Sequence, residues 1–371
     1  MSDHTPLALR AELSALAPYN SGLTLAEVAA RPGVTRIAKL GSNENPYGAA
    51  PGVTAAVVKA ASQLHLYPDP SGHDLCVAVA ALAGVRPDQV VLGDGSEDLL
   101  NVLARALLRP GDRVITLYPS FPLHEDYALM MGAEVERIDL TPEGKIDLPA
   151  LLAAVARPAR LILLSNPMNP AGLWLDPAAL DQLMAAQHPE TLLCIDEAYV
   201  EYSDPARYVS ALERMARHDK PLLVLRTFSK AWGLAALRIG YGVTNDTELR
   251  RGLDLVRTPF NANHLAQVAA LAALEDPETM AAAAARIIDE RIRVTGALRE
   301  AGLRVLPSMG NFLFFDAGQP SVDLAEALLD HGVIVKPWKQ PGYESWLRVS
   351  IGLPAENDQF LQALAVARGQ A

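Results

Sequence analysis

Short runs of consecutive apolar residues, each ending in a cluster of small or polar ones, recur along the first two thirds of the chain. Val90-Val91-Leu92 runs into Gly93-Asp94-Gly95-Ser96, Arg113 to Leu117 into Tyr118-Pro119-Ser120-Phe121, and Leu161 to Leu164 into Ser165-Asn166-Pro167-Met168-Asn169-Pro170-Ala171-Gly172. Leu192 to Ile195 ends at Asp196, and Leu222-Leu223-Val224-Leu225 precedes Thr227-Phe228-Ser229-Lys230. Helix-like segments separate these runs, which is the order expected of βαβ units in an α/β protein. Strands this uniformly apolar predict a mostly parallel sheet covered by helices on both faces. After Ile239-Gly240-Tyr241-Gly242-Val243 the pattern changes to long helices over about 263–300, then strands near Asn311 to Phe315 and Leu347 to Ile351. The expected organisation is an N-terminal arm over 1–42 that packs with a smaller α+β domain at 259–371, and a large domain over 43–258.

In sheets of this kind ligands bind outside the carboxyl ends of the strands, where all these polar clusters fall. Lys230 stands out among them. An amine held at a strand end, with Arg238 eight positions on, is suited to form an imine with a carbonyl cofactor whose phosphate the arginine holds. The alternative, a solvated loop lysine, stays open on this stretch alone.

Charge and composition narrow the classes. The chain has 371 residues, half of them hydrophobic, and a formal net charge of -11. That charge opposes a polyanionic partner, and no basic stripe is apparent, so nucleic acid is not expected. Cys76 and Cys194 are the two cysteines and sit among apolar neighbours, which reads as reduced core rather than a disulfide framework or a zinc site. The first residues lack a basic stretch followed by an apolar one, and no uncharged run reaches membrane-spanning length, so a cytoplasmic protein without membrane attachment is expected.

Six motifs in order then carry a resemblance. Asn43-Glu44-Asn45-Pro46, Tyr67-Pro68-Asp69, the 166–172 segment, Asp196-Glu197-Ala198-Tyr199, Ser229-Lys230 with Arg238, and Leu347-Arg348-Val349-Ser350-Ile351-Gly352 together resemble the fold type I pyridoxal-phosphate (PLP) aminotransferases. Within them the chain is most similar to the histidinol-phosphate aminotransferases.

The resemblance implies a role for each position. Lys230 holds the cofactor and moves the substrate's Cα proton, while Asp196 keeps the pyridine nitrogen protonated. Tyr199 and Asn169 hydrogen-bond the phenolic oxygen. Gly95, Ser96 and Glu97 open a helix that takes the phosphate with Ser229 and Arg238. Phe121 stacks on the ring, and Tyr67 reaches the neighbouring subunit's phosphate, which implies a homodimer. Arg348 clamps a substrate carboxylate, such as that of glutamate or 2-oxoglutarate, and Tyr19, Asn43 and Lys336 complete the substrate site. The expected partners are a small-molecule amino donor and a 2-oxo acid.

Other readings of the same residues remain. Asp196 also suits a helix cap, and Asp94, Glu97 and Asp98 set negative charge beside the proposed phosphate loop. The family pattern Asn-Pro-Asn-Asn-Pro-Thr-Gly is altered here at Met168 and Ala171. Lys336 stands where histidinol-phosphate aminotransferases usually have arginine, which keeps charge but loses the planar fork. Trp338 leaves room for an aromatic amino acid aminotransferase as the rival activity, and a threonine-phosphate decarboxylase-like enzyme shares most of the motifs.

Overall fold

The computed structural model describes residues 7–18 and 23–369. Its central feature is a seven-stranded sheet built from β2 (Val90–Gly93), β3 (Arg113–Tyr118), β4 (Glu134–Asp139), β5 (Leu161–Ser165), β6 (Leu192–Asp196), β7 (Leu222–Thr227) and β8 (Gly240–Thr244), preceded in the chain by the short β1 (Ala38–Lys39). The strand order is β2-β8-β7-β6-β5-β3-β4. All neighbours pair in parallel except β8, which runs antiparallel between β2 and β7.

Alternate residues of these strands feed two separate cores. Leu92, Ile115, Ile162, Leu164, Leu193, Ile195 and Val224 face one side. Val91, Val114, Leu161, Leu163, Cys194, Leu223 and Leu225 face the other. Both faces are therefore covered, as uniform apolar runs require. The two cysteines are free and buried.

A second sheet has the order β12-β13-β10-β9, from β9 (Arg304–Val305), β10 (Phe312–Asp316), β12 (Lys336–Pro337) and β13 (Trp346–Ser350). β1 pairs separately with β11 (Val333–Ile334). Helices His264–Leu274 and Pro277–Glu300 fill the span where long helices were expected. Pro277 at the start of the second helix and the Asp276 carboxylate bonded to Thr279 N explain why the two are separate.

The early residues divide in two. Arg10 donates to Met130 O beside the large sheet. Arg31 instead pairs with Glu326 and Asp330, so the stretch around it lies on the second sheet's helices.

Strand β4 and the two-residue strands β1, β9, β11 and β12 went unanticipated. β4 is an edge strand in which four of the six residues are charged, and such a stretch carries no apolar run. β8 begins at Gly240, where a side chain has no room: a Cβ there would lie 2.5 Å from Ser96 N and 2.7 Å from Gly95 C. The glycine lets the start of helix Ser96–Leu107 rest on the sheet. Gly240→Ala is expected to cost about 1–3 kcal/mol through overpacking, measured as a lowered urea midpoint with an unchanged slope.

Candidate active site

The strand ends and the second sheet enclose a cavity of about 340 Å³. Asn43, Ser96, Glu97, Phe121, Asn169, Asp196, Tyr199, Ser229, Lys230, Arg238, Lys336 and Arg348 all line it. Residues spread over three hundred positions thus meet at one place. Gly95 abuts it, with Arg238 Nη2 where its Cβ would stand. Two expected residues do not join. Tyr67 is 82% exposed and stacks on Phe260 with ring centroids 4.6 Å apart, and Tyr19 lies outside the described residues.

Lys230 sits in the turn after β7, closed by Gly233 N to Lys230 O. Gly233 has φ +73°, and its missing Cβ leaves Gly48 O in contact with the turn. Asn45 Nδ2 donates to Ala231 O at 2.8 Å from the same segment. The lysine keeps some surface on the cavity while its amine is ringed by protein, donating to Ser42 O at 2.9 Å. That desolvation, with the Arg348 charge second, lowers the lysine to about 8.

Asp196 closes β6 and is buried. Its Oδ1 accepts from Ala198 N at 3.1 Å, and its Oδ2 lies 3.3 Å from His124 Nε2. It therefore makes a local turn rather than the helix cap that the sequence also allowed. Glu197 points the other way, where it pairs with Arg226 at 2.9 Å and ties β6 to β7.

At the far end Arg238, with φ +56°, reaches Ser229 Oγ at 3.3 Å and Asp94 O at 3.2 Å. It faces the first turn of helix Ser96–Leu107, whose N–H groups are without intrahelical acceptors. The nearby acids are largely occupied. Asp98 takes Asp94 N and Asn261 Nδ2, while Glu97 bonds the Tyr127 hydroxyl and lies 3.7 Å from Arg238.

The second sheet supplies the opposite wall. Lys336 on β12 pairs in register with Arg348 on β13. Arg348 donates to Asn169 Oδ1 at 2.8 Å and to Gly41 O at 2.7 Å. Burial and then the Arg348 charge lower Lys336 to about 8. Trp338 does not line the cavity: it is buried, edge-on to Phe314, and donates to Gln340.

His124, Tyr127 and Ser42 were not singled out from the sequence. A signal existed for the first two. Helix Pro122–Met130 starts directly after Phe121, and positions 121, 124 and 127 follow the spacing of one helix face. Ser42 contributes only a carbonyl, which no residue type announces.

The geometry defines a site for an anionic group at one end, an acid partner and an amine at the centre, and a cationic wall opposite. The chain belongs to the aminotransferase class I and II family, whose model matches residues 35–364. Its fold is that of the fold type I aminotransferases.

Among its relatives, histidinol-phosphate aminotransferase 1 of Mesorhizobium japonicum is 54% identical over 357 residues, covering 96% of this chain and 97% of that protein. Histidinol-phosphate aminotransferase 3 of Rhizobium meliloti is 51% identical, covering 96% of each. The crystal structure of histidinol-phosphate aminotransferase from Sinorhizobium meliloti in complex with pyridoxal-5'-phosphate superposes with a TM-score of 0.87 at 30% identity, covering 99% of this chain and all of that one.

A lysine lowered to about 8 gains its neutral, reactive form as pH rises through that value. Borohydride trapping of a small aldehyde on the apo-protein, followed by peptide mapping, is therefore expected to label Lys230 half-maximally near pH 8. Surface lysines should need pH above about 10.

Proposed function

We propose that this chain is a PLP-dependent aminotransferase that moves the amino group of histidinol phosphate to 2-oxoglutarate, working as a cytoplasmic homodimer. The carrying observation is the convergence of Lys230, Asp196 and the Ser229–Arg238 pair on one cavity whose other wall holds Lys336 and Arg348. The names of the relatives support the same substrate.

The donor set fits the cofactor. A Cβ on Gly95 would lie 2.6 Å from Arg238 Nη2, so the glycine lets the guanidinium rest against the helix start, and a phosphate there would meet both. Asp196, buried and backed by His124, suits a protonated pyridine nitrogen. Tyr199 and Asn169 lie 3.3 Å apart in reach of a phenolic oxygen, and Phe121 offers a ring face on the cavity. When bound, PLP supplies an electron sink for the pair left on the substrate's Cα.

The chain's own residues do the rest. Lys230, neutral in a useful fraction near pH 8, takes the proton from the substrate's Cα and returns it on the cofactor side of the amino nitrogen. Arg348 orients a carboxylate such as that of 2-oxoglutarate, and Lys336 holds the phosphate of histidinol phosphate. Asn43 and Tyr19 belong to the substrate side in this reading, and Tyr67 crosses to the partner copy's phosphate site. Its exposure in a single chain is what such a reach requires. Trp338, which favoured an aromatic substrate in the sequence, is packed in the second sheet and offers no wall to one.

Lys230→Ala is expected to remove the visible absorption of the PLP-loaded protein and lower turnover by at least about a thousandfold. Near wild-type turnover would overturn the reading. Lys336→Arg should lower the KM for histidinol phosphate by roughly threefold or more, because a fork replaces a point charge; an unchanged KM would remove Lys336 from the phosphate site. Wild-type enzyme mixed with single amines should lose its visible band with histidinol phosphate, and a response to phenylalanine or tyrosine alone would favour the aromatic activity.

A further inference from the structure

Asn43 is buried, 1% exposed, and held at φ +57°, a region that costs most side chains energy but that asparagine tolerates. Its position is secured from three directions. Its backbone N–H donates to Ser350 Oγ at 2.8 Å, its carbonyl accepts from Asn311 Nδ2 at 3.0 Å, and its side chain meets both Ser350 and Tyr199.

The orientation of that side chain is forced. Ser350 Oγ accepts from Asn43 N, so its own hydrogen is directed to Asn43 Oδ1, 2.8 Å away. The amide nitrogen must then face Tyr199, and Nδ2 lies 2.9 Å from the hydroxyl. Asn169 is fixed by the same logic. Arg348 carries only donors, so Asn169 Oδ1 faces Nη1 and Asn169 Nδ2 faces Tyr199 at 3.3 Å.

The result is a closed polar ring, Arg348–Asn169–Tyr199–Asn43–Ser350, with both ends on β13. The Tyr199 oxygen accepts an N–H from each amide, so the phenol's own hydrogen cannot point at either. Two donors on that oxygen favour its anionic character, which makes the phenol a stronger donor to whatever it faces.

We propose that Asn43 is a positioning residue for Tyr199, setting the direction and strength of the hydrogen bond that this phenol gives to the cofactor's phenolic oxygen. The inference rests on the PLP reading above and deepens it. It also moves Asn43 from substrate contact to control of Tyr199. The charged and titratable groups facing the phenol are Lys230 from the turn after β7, with its Nζ 5.9 Å from the ring centroid, Arg348 from β13 through Asn169, Asp196 across the cavity, and Tyr202 beneath.

The test is a pH titration of the visible absorption of PLP-loaded protein. Asn43→Gly keeps the left-handed backbone and removes the donor, and the absorption transition is expected to move to higher pH by about one unit. Asn43→Asp keeps the shape and the bond from Ser350 but turns the donor into an acceptor that draws the phenol's hydrogen away, so its shift should be larger in the same direction. Ser350→Ala loosens the amide and should shift less than either.

That graded order is what a purely structural role would not produce, since it depends on donor chemistry at constant shape. Transitions at the wild-type pH in both folded, PLP-loaded Asn43 variants would overturn the proposal. Failure of the wild-type protein to form a borohydride-sensitive absorption band with PLP would instead overturn the PLP reading, so the two failures are separable.

Discussion

Two cations of the site are held on the backbone of one short segment. Ser42 O takes Lys230 Nζ at 2.9 Å, and Gly41 O takes Arg348 Nη2 at 2.7 Å. The segment is itself fixed on both sides: Leu40 bonds Ile334 O and accepts from Ser350 N, while Asn45 holds the turn after Lys230. Buried cations demand acceptors, and main-chain carbonyls supply them without adding a carboxylate that would pin the amine in its charged form. The two sheets are thereby stitched together through the two cations, and the lysine is desolvated because they are.

At the anionic end the same economy of space applies. Gly95 and Gly240 let helix Ser96–Leu107 approach both the sheet and Arg238 more closely than any side chain would permit. The acids of that loop, a reason for doubt in the sequence, are turned to their own partners. Asp98 faces a backbone N–H and Asn261, and Glu97 leans on Tyr127. Glu97 lies 3.7 Å from Arg238 on the solvent side, where its attraction is weak, and the Asp94 carboxyl also feels the guanidinium charge.

Much of this arrangement was readable because strand ends are local events. An apolar run followed by Asp196, or by Ser229-Lys230, fixes which end of the sheet those side chains occupy whatever the strand order. Strand order itself is not local. Nothing in Gly240–Thr244 announces that β8 inserts antiparallel between β2 and β7, and that insertion is what brings Arg238 to Gly95. His124 was missed because its importance comes from a partner 72 positions away. Tyr67 stays out of its own chain's cavity, exposed and stacked on Phe260.

Lys336 illustrates how a register can select between two cations. It stands directly opposite Arg348 in an antiparallel pair, a placement that is unfavourable for two fixed like charges. Arginine there would keep its charge at any physiological pH, so the repulsion would persist with nothing bound. Lysine relaxes it in part: burial first and Arg348 second bring its pKa down to about 8, so a minority of the amines is neutral near pH 7.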